Sequence, residues 1–317
     1  MGKRPPSPPD VETEYYQSRP PPPYFSPPLP QPWFPWLVPL IFVVNSVSFA
    51  YTMYINDCPD SRDPDQCLFY EYLGRFSFEP FDVNKLLGPT SSTLQYLGGL
   101  EKNLVLEDKE GWRLLSCMWL HAGVIHILAN MLSLLFIGIR LEKEFGFVRI
   151  GLLYVLAGLG GSIASCLHIN KHIDQRVISV GASGALFGLL GAMLSELITN
   201  WTIYANKCAA LLSLVLVIAL NLAVGFIPGV DNSAHIGGFI SGFFLGFVLL
   251  MRPQYGYINR KYIPSGYKIK SKPKHKCYQY LLLLTALIFL ILGYAYAFVK
   301  IFGGSKAKSL IATLENY

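Results

Sequence analysis

Two apolar segments crowded with small residues each carry one reactive side chain near the start: Gly181-Ala-Ser-Gly-Ala-Leu-Phe-Gly188 presents Ser183, and Ala234-His-Ile-Gly-Gly238 presents His235. An imidazole beside a hydroxyl supplies the general base that turns serine into a nucleophile. Small residues on two helices let the backbones approach closely enough for such groups to meet. The chemistry implied is acyl transfer at a serine, which with water as the final acceptor is hydrolysis. His235, Gly238, Gly242 and Gly246 advance by three, four and four residues, so they form one stripe along a helix. Gly184 and Gly188 give the serine segment a matching Gly-x-x-x-Gly surface, and Gly181 with Gly184 leaves room around the hydroxyl. A third segment offers His126 and Asn130, spaced i,i+4 on one face with Ala122. These two polar groups suit either a shared cavity or an interhelical hydrogen bond that glues a bundle. Ser183 alone could equally bond a carbonyl one turn earlier, and its glycine neighbours are what favour chemistry.

The elements that position these groups belong in a bilayer. The chain has 317 residues, of which 52% are hydrophobic and only 15% charged, with a mean hydropathy of +0.38. A soluble domain carries roughly a quarter charged residues. Apolar runs of about 20 residues, enough to span hydrocarbon, fall near 34–55, 114–138, 148–169, 181–199, 204–225, 233–252 and 278–302. The expected fold is therefore an all-α polytopic membrane bundle. A net charge of +6 does not imply nucleic acid, because the basic residues flank the apolar runs as topology signals. Ionisable and amide side chains inside such runs are costly to bury, which marks His126, Asn130 and His235 as functional candidates.

Residues 1–33 are dense in proline, including Pro20-Pro-Pro-Pro23, and read as a disordered cytosolic tail open to SH3-type or WW-type domains. The stretch 253–277, with Arg252 before it, carries lysines and arginines and no acidic residue. It reads as a basic cytosolic loop with a possible contact to anionic lipid at 252–276. Arg140, Lys143 and Arg149 place the second to third connection on the same side. Counting spans puts the amino terminus in the cytosol, the 56–113 loop and the 278–317 segment's tail in the lumen, and Ser183 and His235 at one level near the luminal face. The sequon Asn200-Trp-Thr202 then faces the cytosol and stays unmodified. The 56–113 loop is expected to be either a small cap, with Leu94 to Leu100 as an interfacial helix, or a spacer. Cys58 and Cys67 within it could be bridged or free. Cys117, Cys166 and Cys208 read as buried small hydrophobes, and Cys277 as a thiol at the membrane boundary. No cofactor or metal is implied, since the histidines lack a third ligand at suitable spacing.

Trp112-Arg113, His121, His126-Ile-Leu-Ala-Asn130, Gly181-Ala-Ser-Gly184 and Ala234-His-Ile-Gly-Gly238 occur in that order over roughly residues 84–252. This ordered set resembles the rhomboid family of intramembrane serine proteases. Leu86-Leu-Gly-Pro-Thr-Ser-Ser-Thr93 is similar to a loop of plant rhomboid-like proteins of the secretory pathway. The resemblance implies a core of six helices, the first at 34–55 and the catalytic core helices over 114–252, plus one C-terminal membrane helix. It implies Ser183 as nucleophile, His235 as general base, and His126, Asn130 and the Ser183 N–H as oxyanion donors. It further implies that Trp112 and Arg113 belong to the first loop, that Glu142 holds that loop, and that Phe187 packs on the imidazole where relatives often carry tyrosine. Gly181, Gly184 and Gly238 would shape the substrate cavity. The expected partners are single-pass transmembrane proteins with a weakened top turn, and the lipid bilayer. The expected location is the secretory pathway, the Golgi first, then plasma membrane or endoplasmic reticulum. The rivals are a non-catalytic rhomboid-like binder of transmembrane segments and a transporter or channel. Both serine and histidine are present, and no internal repeat is visible, so both rivals rank below the protease.

Overall fold

In the computed structural model, which describes residues 34–168, 178–201, 206–224, 231–253 and 275–303, the apolar runs form helices and no extended sheet appears among the described residues. The long helices are α1 (Leu37–Asn56), α2 (Val124–Phe145), α3 (Phe147–His168), α4 (Ser183–Thr199), α5 (Lys207–Val224), α6 (Asn232–Leu249) and α7 (Cys277–Phe302). Five of them, α1, α2, α3, α6 and α7, are long and apolar enough to cross a membrane, and α4 and α5 supply shorter apolar stretches. The molecule is thus the all-helical membrane bundle expected from the sequence.

Helix α4 is the hub, with most of its side chains buried against α3 and α6. The α4 to α6 contact is almost backbone on backbone. A Cβ placed on Gly238 would overlap the Gly184 carbonyl and come within 3.1 Å of its Cα, and one on Gly242 would overlap the Gly188 backbone. Only glycine allows that spacing, so the stripe read along α6 is the surface on which α4 lies. Apolar side chains fill the remainder, with Leu134, Leu153, Tyr154, Leu189 and Leu245 in one buried cluster. At 17 residues, α4 is also short, spanning roughly 25 Å at 1.5 Å per residue.

Several boundaries differ from the sequence expectation. The second span does not begin at 114. Arg113–Ser116 and Cys117–Trp119 are two separate short turns, and α2 starts at Val124. The chain is extended at Gly123 because Leu86, Leu87 and Gly88 lie against it: Val124 N–H donates to Leu87 O at 2.8 Å and Ile125 N–H to Leu86 O at 3.3 Å. The other end of α2 runs on to Phe145, through one wide π turn at Leu134–Gly138. The connection to α3 is Gly146 alone, at φ +81°, so Arg140, Lys143 and Arg149 sit on helices and not in a loop.

Glu142 is likewise not a support for the first loop. Its carboxylate lies at the opposite end of the bundle and accepts the Trp36, Leu37 and Val38 N–H groups at 2.9, 2.8 and 2.8 Å, capping α1. A helix leaves its first N–H groups without intrahelical acceptors, and a buried carboxylate satisfies three of them here. At the same end Arg252 turns inward to Glu144 and Glu196 and over the Phe145 ring. The rest of the proposed lipid-contact stretch, like the 1–33 tail, falls largely or wholly outside the described residues. Asn200 is fully buried beside Arg252: its amide donates to Glu196 and to Leu250 O, and its carbonyl accepts Arg252 N–H. Gln279 and Tyr278 of α7 close this joint through Thr199 O.

The loop between α1 and α2 is a cap, not a spacer. Cys58 and Cys67 form a disulfide. Buried Glu79 accepts Asn56 Nδ2 at 2.8 Å and pairs with Arg62 at 2.9 Å, while Asn56 Oδ1 accepts from Thr90 and Thr93. The interfacial helix expected at Leu94 to Leu100 is instead Ser91–Tyr96, begun by a Thr90 N-cap, with Leu94 pointing into the core. Cys117 and Cys166 are buried as expected, whereas Cys208 is exposed because it lies on the outward face of the first turn of α5. Replacing Glu142 by Gln should lower the melting temperature in detergent, with a loss of about 1–3 kcal/mol for the weakened cap. Differential scanning fluorimetry of the full chain checks it, and an unchanged melting point would remove Glu142 as the cap.

Candidate active site

Ser183 is positioned by a short extended connector, not by the helix alone. Ser179 exchanges both backbone hydrogen bonds with Leu100 at 2.9 Å, and Gly181 N–H donates to Cys117 O at 2.9 Å. The chain is thereby tied to the loop cap and to the turn beneath it before α4 begins. Gly181 takes φ +125°, a region that L side chains rarely adopt. A side chain there would also strike the His126 ring, whose Nε2 lies 2.8 Å from the Cβ position. Ser183 follows as the first residue of α4, so its N–H is one of those a helix leaves without an intrahelical acceptor.

Across the glycine contact, His235 Nε2 lies 2.8 Å from Ser183 Oγ. The imidazole is buried and stacks on Phe187, with centroids 4.3 Å apart and planes at 20°. Packing therefore fixes the ring from one side while the serine fixes it at Nε2. His235 Nδ1 has no protein partner among the described residues. The group one turn earlier, Asp231, is not a third catalytic member: its carboxylate accepts Ser233 N–H at 3.0 Å, Ala234 N–H at 3.1 Å and the Ser165 hydroxyl. Asp231 is the N-cap of α6 and anchors that cap to α3. The sequence reading passed over it, although an aspartate followed by Asn-Ser-Ala just before an apolar run is an N-cap signal.

His126 and Asn130 reach the same spot from α2. The Asn130 side-chain nitrogen is buried without a partner and lies 3.6 Å from the Gly181 Cβ position. His126 Nδ1 accepts Ala122 N–H at 3.3 Å. A backbone N–H only donates, so Nδ1 is the acceptor nitrogen and the neutral ring carries its proton on Nε2, the atom that faces Gly181. His121 is fully buried with its ring 5.3 Å from that of His126. The geometry is a hydroxyl in hydrogen-bond contact with an imidazole, with the His126 and Asn130 side-chain nitrogens against Gly181, two residues before it.

The first-loop pair is also in place. Arg113 is buried, donates to Gln95 O at 2.6 Å and Gly99 O at 2.9 Å, pairs with Glu110, and lies under the Trp112 ring. Arg113, not Glu142, holds the cap against the site. Between α2 and α5, with α4 as its floor, lies a cleft of about 530 Å³ lined by Leu132, Phe136, Leu190, Met193, Leu214 and Val217 among others.

The family model of the rhomboid domain matches residues 108–252. The chain is 61% identical over 304 residues to RHOMBOID-like protein 5 of Arabidopsis thaliana, covering 95% of each chain. The chain belongs to the rhomboid family. It is also 60% identical over 274 residues to RHOMBOID-like protein 1 of Arabidopsis thaliana, covering 86% of this chain and 68% of that protein. A further similar protein is named Inactive RHOMBOID-like protein 8, 43% identical over 219 residues, covering 69% of this chain and 60% of that one. Family membership therefore carries the fold and the bilayer setting, while activity has to be argued from the side chains of this rhomboid protein.

Because Asp231 caps the helix that carries His235, Asp231→Ala should remove about 1–2 kcal/mol of stability. It should also slow fluorophosphonate labelling of Ser183 by roughly tenfold, the rate equivalent of about 1.4 kcal/mol. Melting curves and labelling time courses of the purified variant check both, and wild-type behaviour in each would show the cap to be dispensable.

Proposed function

We propose that this rhomboid protein is an intramembrane serine endopeptidase that cleaves single-pass transmembrane segments near one membrane face. The observation that carries the reading is the 2.8 Å contact of His235 Nε2 with Ser183 Oγ. Partner-free Asn130 Nδ2 and the Nε2 side of His126 stand beside it. His235 takes the Ser183 proton, and the oxygen attacks the scissile carbonyl. The resulting oxyanion is held by His126, Asn130 and the Ser183 N–H. His235 then gives its proton to the leaving amine, and water attacks the acyl-enzyme to free the acid.

Water must reach this point, and the short α4 supports that. A helix of roughly 25 Å in a hydrocarbon layer of about 30 Å leaves its first residue below the surface, in a recess roofed by the loop cap. A substrate carbonyl inside an intact helix is bonded to the N–H four residues on, so cleavage requires a weakened turn, favoured by glycine, proline or other small residues. The apolar cleft between α2 and α5 is the route by which such a segment approaches.

The site end of the bundle is assigned to the lumen, with the amino terminus cytosolic and the carboxy terminus luminal. The Cys58–Cys67 disulfide lies at the site end and belongs in an oxidising compartment, which supports this orientation. The proposed location is the secretory pathway, with the Golgi first. The domain limits read from the sequence, a core of 114–252 followed by the 253–277 loop and the seventh helix, are kept with α2 starting at Val124.

Co-expression with a panel of tagged single-pass substrates tests the reading. Wild type should release a luminal fragment, and Ser183→Ala and His235→Ala should release none. His126→Ala and Asn130→Ala should each slow turnover by about two to three orders of magnitude. Identical product bands from wild type and both dyad variants would sink the protease reading.

A further inference from the structure

The oxyanion donor His126 is useful only in one tautomer. Its Nε2 faces the site, so the proton must sit there and Nδ1 must stay an acceptor. What enforces this is the Ala122 N–H, and the question becomes what holds the Ala122 peptide. That peptide lies outside α2, in the extended stretch before Val124, so no helical hydrogen bond fixes it.

One side chain from the loop cap holds it. Asn84 Nδ2 donates to Ala122 O at 2.8 Å and to Pro89 O at 2.7 Å, while its Oδ1 accepts Leu86 N–H at 2.8 Å. All the hydrogen-bonding capacity used by this carboxamide goes to backbone, and it joins three points: the Pro89 end of the cap, the Leu86 turn that lies along Gly123, and the peptide in front of the histidine. The surrounding contacts leave no slack. Leu86 and Leu87 carbonyls bind the first N–H groups of α2, and a Cβ on either Gly88 or Gly123 would overlap the facing backbone.

We propose that Asn84 is a positioning residue for the hydrolytic reaction. By holding the Ala122 peptide, it keeps its N–H on His126 Nδ1 and so keeps the Nε2 proton aimed at the oxyanion. Asn84 touches neither Ser183 nor His235, and it acts only through Ala122 and His126. This inference rests on the assignment of His126 as an oxyanion donor. Aspartate at this position would keep the acceptor for Leu86 but place a carboxylate against two carbonyl oxygens, so Asn84→Asp tests the donor alone. Asn84→Ala removes both functions.

The test combines a kinetic cycle with a direct reading of the ring. Turnover of a transmembrane substrate by the full chain in detergent is measured for wild type, Asn84→Asp, Asn84→Ala, His126→Ala and the two double variants. The expected result is a roughly tenfold lower kcat with KM unchanged for each Asn84 variant, and less than a twofold further loss when either is added to His126→Ala. A tenfold loss that persists in full on the His126→Ala background would overturn the proposal, because Asn84 would then act by another path. In parallel, long-range proton–nitrogen spectra of the protein labelled with ¹⁵N-histidine, with His126 assigned from His126→Ala, should show the Nε2–H tautomer in wild type and a mixture in Asn84→Asp. An unchanged tautomer in that variant would also overturn the proposal. If His126→Ala keeps full turnover, the oxyanion reading of His126 fails by itself, and the spectra alone decide whether Asn84 sets the ring. Should Asn84→Ala yield no folded protein, Asn84→Ser, which keeps one shorter donor, is read in the same two assays.

Discussion

The whole arrangement depends on how closely α4 and α6 approach. A hydrogen bond from imidazole to hydroxyl tolerates only a few tenths of an ångström, and the two groups come from helices 52 residues apart in sequence. The contact is set by Gly238 and Gly242 lying on Gly184 and Gly188, and a methyl group on either of the first two would overlap the α4 backbone. Lipid tails give apolar helices little reason to prefer each other over the bilayer, so packing of this kind and a few interhelical hydrogen bonds must supply the association. The Ser165 hydroxyl on Asp231 and the Tyr294 hydroxyl on Leu156 O are two such bonds, fixing α6 and α7 respectively to α3.

Around that contact the molecule separates its duties by depth. At the site end, the loop cap is bound to the segments that carry Ser183 and His126 by backbone groups: Leu100 to Ser179, Cys117 to Gly181, Leu86 and Leu87 to the start of α2. At the other end the fastening is ionic and amide-based, with Glu142 on α1, Arg252 on Glu144 and Glu196, and Gln279 spanning α4 and the end of α6. Buried side-chain polar atoms are usually hydrogen-bonded, and Asn130 Nδ2 is among the exceptions, lying at the site end beside Gly181.

Much of this was legible in the sequence because glycine and histidine are informative in apolar runs. The His235 stripe predicts both the face of α6 and its partner, and the i,i+4 spacing of His126 and Asn130 places them together. The Phe187 ring falls on the imidazole as the resemblance implied. What sequence could not supply was tertiary. Nothing in the composition of 114–123 announces two short turns and a break before Val124, since the chain is held extended at Gly123 by a distant segment, Leu86 to Gly88. The role that the resemblance implied for Glu142 does not hold, because its partners are the Trp36 to Val38 N–H groups, more than 100 residues away in sequence and at the other end of the bundle. Asn84 carries no signal in the sequence, because its partners are the backbone groups of Leu86, Pro89 and Ala122, and backbone groups are the same at every position.

The buried joint around Asn200 has a consequence for how the chain can be threaded through the membrane during synthesis. Its carboxamide is enclosed by Glu196, Leu250, Arg252 and Gln279, which arrive from α4, the end of α6 and α7, and the last of these is made long after Asn200 emerges. An oligosaccharide transferred to that nitrogen in the interval would occupy the space those groups need, and the three helices could not close at this level. The native bundle and a sugar at Asn200 are mutually exclusive, so the sequon at this position can be occupied only in a chain that has not closed the joint.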